Sequence, residues 1–274
     1  VELLNCIVIG KFLYHLPHYR QVTKTLKDAG INLSKQTLWD WTRRTAELLE
    51  PLWELMRRKL IALDHLAADE TTARMVDRER PGGPTKTTYL WQYFGFDDGD
   101  APYTVFDFAL TRAHTAPQAF LSGNSRGREE TLTNSCRFGE KSACKTPKDF
   151  CGTLLTDGYA AYRTLPNVTH AACMAHARRK FEEALASSPV IAGQAVALIG
   201  KLYKIESECR LLDADARRAV RRRESSGILL RLRLYLEEKQ HDVTPQSAIG
   251  KAVGYALNQW QELCRFVDDG RIEI

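Results

Sequence analysis

At 274 residues, with 39 lysines and arginines against 34 aspartates and glutamates, the chain can bury a sizeable core as one large domain or two. Its net charge of +5 permits an acidic partner such as nucleic acid without requiring one. Seven cysteines, at 6, 136, 144, 151, 173, 209 and 264, include no C-x-x-C pair, which argues against a disulfide framework and a zinc ribbon and fits a reducing cytoplasm. No apolar run approaches the roughly 20 residues that span a bilayer, the first residues lack the order of a signal peptide, and a start at valine is compatible with a fragment.

Residues 1–62 read as helical. Val1 to Leu13 is mostly apolar and is expected to pack as a buried helix, Pro17 opens the next, and Gly30 ends it after QVTKTLKDA. Ser34 is an N-cap for KQTLWDWTRRTAELLE, in which Leu38, Trp41, Thr42, Ala46 and Leu49 recur at helical spacing. Helix, glycine turn and capped helix outline a helix-turn-helix with Lys35, Gln36 and Thr37 in the second helix's first turn; an ordinary helical hairpin has the same outline.

From Asp64 the pattern changes to strands. A short β-like run ends at Asp69-Glu70-Thr71, and after a turn at Pro81 to Pro84 the segments Thr87 to Phe96 and Tyr103 to Ala109 form two more strands around a hairpin at Asp97-Asp98-Gly99-Asp100. Thr111-Arg112 closes the third strand, and Thr115 to Leu121 is a short helix. Residues 122–150 are polar, lack any period and read as an exposed loop.

The stretch from Gly152 to Ala184 reads as strand, turn, helix, strand, helix. Gly152 to Thr156 is β-prone, and Asp157-Gly158 turns the chain with the aspartate at the strand's C-terminal edge, where open α/β sheets place their chemistry. Val168 to Met174 is a second strand, and a helix from Ala175 to Ala186 carries His176, Arg178, Arg179 and Lys180 near its start. The remainder reads as three helical segments, Val190 to Leu211, Ala214 to Gln240 and Thr244 to Phe266. The arginines at 217, 218, 221, 222 and 223 form either a solvated face or a phosphate-binding one.

This order gives an α/β chain: a helical segment (1–62), a ribonuclease H-like mixed-sheet core (63–188) and an all-helical insertion (189–274). Asp69 and Asp157 would converge at neighbouring strand edges, where close carboxylates are stabilised by divalent cations. Hard oxygen ligands suit Mg²⁺ or Mn²⁺, and such ions can drive in-line attack on a phosphodiester. From spacing alone this is a weak signal, because an aspartate at a strand end is more often a turn former or a helix cap.

HLAADETTARMVD, TTYLWQYFGF, Thr111-Arg112, TLLTDGYAAY and CMAHARRKFEEA resemble, in matching order, the central domain of the insertion sequence 66 family of bacterial DDE transposases. KFLYHLPHYRQVTKTLKDAGINLSKQTLWDWTRRTAELLEPL resembles the segment preceding that core. The resemblance implies that Asp69 and Asp157 are the first two catalytic and metal-binding acids and that the reaction is metal-dependent cleavage and joining of transposon ends. It also implies double-stranded DNA as partner, a homo-oligomer with accessory proteins, and a cytoplasmic location. Candidate DNA contacts are Arg112, His176, Arg178, Arg179, Lys180, Lys35 and Gln36.

In the family the third acid lies on a helix beyond a segment resembling LNQWQELCRFVDDGRIEI, which ends this sequence at Ile274, so the expectation is an incomplete catalytic fragment. Two alternatives stand beside it: a transposase-derived DNA-binding protein without catalysis, and a ribonuclease H-like nuclease using Glu182 or Glu183. The Gly123 to Pro147 loop is longer and more polar than the family pattern. Cys173-x-x-His176 could be half of a zinc site or a buried thiol beside an edge histidine. Glu70 could orient a metal-bound water or cap the next turn, and Trp91 and Tyr93 read as sheet packing.

Overall fold

β-branched and aromatic residues concentrate between residues 65 and 109 and again between 153 and 172, and the strands of the structure fall within those two stretches. The computed structural model describes residues 2–76, 85–95, 102–122 and 149–274. It contains β1 (His65–Val76), β2 (Thr85–Gly95), β3 (Tyr103–Ala109), β4 (Thr153–Thr156) and β5 (Thr169–Ala172) in one mixed sheet of order β3-β2-β1-β4-β5. Strands β1, β2 and β3 pair antiparallel, whereas β4 runs parallel to both β1 and β5. The turn at Pro81–Pro84, the Asp97–Asp100 hairpin, Phe96, and residues 123–148 of the polar loop with Cys136 and Cys144 lie outside the described residues.

Strand β1 departs from expectation in an informative way. It does not stop at Asp69 but continues to Val76, because Thr71, Thr72 and Val76 are β-branched and pair along β2 as far as Thr85. The parallel pairing with β4, however, ends at Ala67 with Leu155. Asp69 therefore lies just past the edge of the parallel half of the sheet, while its own strand goes on as an antiparallel ribbon.

The chain divides into two compact units, residues 1–57 and 58–274. In the first, helix Glu2–Phe12 buries Ile7 and Gly10 rather than its whole apolar surface. Consecutive helical pieces His18–Arg20, Gln21–Thr25 and Leu26–Asp28 follow, the middle one with π geometry. Gly30 ends them at φ 73°, and the Ser34 hydroxyl accepts the Thr37 N–H at 3.0 Å where helix Lys35–Ile61 begins. Ile7, Leu26 and Leu38 form the small core, and buried Gln21 donates through Nε2 to the carbonyls of Ile7 and Leu16.

In the second unit, helix Thr115–Leu121 lies on one side of the sheet, where Phe120 stacks on Tyr93 at 3.6 Å between ring centroids. Helices Met174–Ala184, Pro189–Glu208, Ser226–Gln240 and Ala248–Asn258 share one apolar core with β5, built from Phe181, Ile199, Leu202, Leu232, Leu236 and Val253 among others. The expected segment from Ala214 to Gln240 is continuous but passes through π geometry at Arg221–Ser225. The expected Thr244–Phe266 segment is two helices and a 3-10 turn, the first capped by the Ser247 hydroxyl accepting the Gly250 N–H at 3.0 Å.

The arginine stretch is not a single solvated face. Arg221 is 1% exposed and binds both carboxylate oxygens of Glu206, at 2.8 and 2.6 Å, while Nη1 donates to the carbonyls of Phe266 and Asp269. Arg217 donates to the carbonyls of Gly270, Arg210 and Leu212. Arg218 and Arg222 are exposed and pair with Asp215 and Asp268. A buried guanidinium needs this density of acceptors, and Arg221 uses it to clamp the 266–269 turn.

Candidate active-site cleft

Side chains alternate across a strand, so Asp69 and Glu70 point to opposite faces of β1. On Asp69's face, the cleft of about 160 Å³ is lined by Ala67, Gln92, Phe94, Leu155, Asp157, Cys173 and His176. Asp157 follows β4 directly, at the residue where parallel pairing to β5 gives way to the turn. The two aspartates that the sequence singles out thus share one cleft, and among the described residues no salt bridge reaches either of them.

The Asp157 turn is tightly specified. Its carboxylate Oδ1 accepts the Tyr159 N–H at 2.8 Å, the Thr156 hydroxyl accepts the Gly158 N–H at 3.1 Å, and Gly158 sits at φ 79°. A Cβ at Gly158 would lie 1.7 Å from Gln259 Oε1. The link to β5 contains only the 3-10 turn Tyr162–Thr164, where the sequence suggested a helix.

On the opposite face, Glu70 is sealed in. Its carboxylate takes both Nε, at 2.7 Å, and Nη2 of Arg112, and the Tyr162 hydroxyl donates to it at 3.4 Å. Arg112 lies 3.9 Å over the Tyr159 ring, whose hydroxyl donates to the Arg112 carbonyl at 2.7 Å. Trp91, fully buried as expected, packs edge-on against Tyr162 at 5.8 Å. Burial pushes the Glu70 carboxyl above the usual carboxylate range, Asp157 and Asp69 push the same way, and Arg112 opposes them. For Arg112 burial lowers the value, and Glu70 outweighs it to leave the guanidinium raised.

Cys173 and His176 lie together at the start of helix Met174–Ala184, on the cleft wall. Their mutual attraction raises the His176 imidazole, against burial and with help from Asp69 and Asp157. Burial alone would raise Cys173, but His176 outweighs it and leaves the thiol lowered. His176 Nδ1 is buried without a hydrogen-bond partner. Among the described residues no group of three or more His, Cys, Asp and Glu is arranged to hold a metal.

The other singled-out residues are spread more widely. Arg178 pairs with Glu182 at 3.0 Å and lies over Tyr203, Lys180 lies 4.7 Å over the Tyr255 ring, and Arg179 is exposed. Glu182 and Glu183 are exposed and do not line the cleft. In the first unit, Lys35 lies 5.7 Å over the Tyr19 ring and Gln36 donates to Asp40. Sequence reasoning missed Tyr255 and Gln259, whose contacts reach the Asp157 turn. Their signal was a polar pair four apart, Tyr255 on a helix whose Ala252, Val253 and Ala256 are buried and Gln259 at that helix's C-cap.

No helix among the described residues is long and apolar enough to cross a membrane. The family model for "Transposase IS66 family" matches residues 1–274. Protein y4jD of Sinorhizobium fredii (strain NBRC 101917 / NGR234), described as uncharacterized, is 32% identical over 283 residues, covering 98% of this chain and 50% of that protein. Protein y4qI of the same strain is 29% identical, covering 100% of this chain and 48% of its own length. The chain thus spans about half the length of the curated relatives it matches. No solved structure matches it. With the family model matching the whole of the given chain, the chain belongs to the IS66 family of transposases.

Proposed function

We propose that this chain carries the ribonuclease H-like core of a DDE-type transposase, which cuts and joins transposon ends using Mg²⁺ or Mn²⁺. The observation that supports this is the meeting of Asp69 and Asp157, from neighbouring parallel strands, in one cleft without a cation paired to either among the described residues. Like charges held this way favour a divalent ion between them, and carboxylate oxygens suit a hard one whose remaining positions water can fill. In the family pattern the third acid lies past the segment that 257–274 resembles, so Asp69 and Asp157 are read as two of three acidic ligands.

When bound, divalent ions supply an activated water or 3′-hydroxyl and stabilise the leaving oxygen. The chain's own residues hold and orient. His176 on the cleft wall is a donor for a scissile phosphate, and Arg178, Arg179 and Lys180 on the same helix are cations for the flanking backbone. Lys35 and Gln36, in the first turn of their helix, are read as further DNA contacts, and Arg112 reaches DNA only with the part of its side chain that Glu70 leaves exposed. Double-stranded transposon ends and target DNA, held by an assembly of copies with accessory proteins, complete this reading.

Calorimetric titration with Mn²⁺ tests it on the wild-type chain and on Asp69→Asn and Asp157→Asn. Wild type is expected to bind, and each substitution to weaken binding roughly tenfold or more. No binding by wild type, or undiminished binding in both variants, overturns the two-aspartate site.

A further inference from the structure

The helical region beyond residue 189 adds no strand to the sheet, yet it touches the backbone of the Asp157 turn at two points. From helix Ala248–Asn258 the Tyr255 hydroxyl donates to the Asp157 carbonyl at 2.7 Å across 98 positions of sequence. One turn on, Gln259 is 6% exposed, its Oε1 is buried without a hydrogen-bond partner, and its side chain fills the space where a Gly158 side chain would begin. Lys180 stacks over the Tyr255 ring and ties the same contact to the helix that carries His176.

These contacts matter because of what the turn must do. Asp157 presents its carboxylate from the first residue after a four-residue strand, a position whose direction depends on a left-handed glycine and one Asx-type hydrogen bond. A turn of that kind opens locally at little cost unless something outside it holds its carbonyl. Tyr255 does so, and Gln259 blocks the movement of Gly158 toward the helices.

We infer that Tyr255 and Gln259 are positioning residues that fix the Asp157 carboxylate, so that the helical region sets the geometry of the cleft. The inference rests on the reading of Asp157 as a metal ligand, and its test separates the two. Amide exchange at Tyr159 and Mn²⁺ affinity are measured on the whole chain for wild type, Tyr255→Phe and Gln259→Ala, with Asp157→Asn as the reference for a lost ligand. Tyr255→Phe keeps the ring and the Lys180 stack and removes only the donor; Gln259→Ala is an independent probe should the first variant fold poorly.

Both variants are expected to speed Tyr159 exchange by up to roughly tenfold, the scale of one lost hydrogen bond. Mn²⁺ binding is expected to weaken by a similar factor, as when the partner that orients a metal ligand is removed. Unchanged Tyr159 exchange in both overturns the inference. Faster exchange with undiminished Mn²⁺ affinity also overturns it, because the turn would then be held without setting the ligand. If wild type binds no Mn²⁺, the ligand reading fails, while the exchange data still decide whether Tyr255 and Gln259 hold the turn.

Discussion

Two adjacent carboxylates on β1 meet opposite surroundings. Asp69 faces an open cleft with another aspartate and no cation paired to it among the described residues, while Glu70, one residue on, has a side chain only 3% exposed that is bound by Arg112 and Tyr162. The sealed face is built for stability: Trp91, Tyr93, Phe120, Tyr159 and Tyr162 pack as rings, and the Glu70–Arg112 ion pair sits among them. On the open face, the two aspartates line one cleft and no cation among the described residues is paired with either. Under the proposed reading, the unpaired spot is the one reserved for a ligand, since functional sites are where a fold gives up local stability.

The largest effect that would break this contrast is Arg112→Ala. It leaves Glu70 buried beside two other carboxylates, and an uncompensated buried charge costs on the order of 3–5 kcal/mol. Asp69→Asn should change stability by less than about 1 kcal/mol, because the amide oxygen can still accept the Glu70 N–H and no cation among the described residues is paired with the carboxylate. Urea unfolding of the two variants at neutral pH measures the difference directly. Equal losses would mean that the two faces are not distinguished as argued.

A smaller effect is expected at the turn between the faces. Gly158→Ala places a methyl group on a left-handed backbone and against Gln259, adding about 1–2 kcal/mol of conformational strain to about 1–2 of overpacking. The sum, about 2–4 kcal/mol, should fall in the double variant Gly158→Ala/Gln259→Ala, where only the backbone term remains. Thermal unfolding of the pair checks whether crowding by Gln259 is real, since additive losses would show that the two residues do not meet.

How much of this was legible follows from distance along the chain. The Ser34 cap, Gly30, the Tyr103–Ala109 strand, the Thr115–Leu121 helix and the Asp157-Gly158 turn are local, and each appears where residue type placed it. Asp69 with Asp157 could be anticipated because parallel strands bring their ends to one edge. Glu70 with Arg112 is 42 positions apart and Tyr255 with Asp157 is 98, and no period or turn signal announces such pairs. Arg221 misled for a related reason: an arginine within a basic run looks solvated until Glu206 and two carbonyls from the 266–269 turn are folded around it.

The smallest effect concerns the far end of the open face, where Asp269 accepts from His65 at 2.7 Å and from Arg271, and Ile272 covers the base of β1 and β4. Burial would raise the Asp269 carboxyl, but Arg271 and His65 outweigh it and bring it down to about 2 from 3.8. Because the folded chain resists protonation there, the contribution is whole above the unfolded value of 3.8 and drains away as pH falls toward about 2. With a discount for partial exposure, it is about 1–2 kcal/mol. Asp269→Asn should therefore be less stable than wild type by that amount near neutral pH, and the gap should narrow steadily from about pH 5 to about pH 3 in urea unfolding. A gap that stayed constant over this range would show that the carboxylate charge is not what fastens residues 269–272 to β1, and the closed end of the cleft face would then rest on Ile272 packing alone.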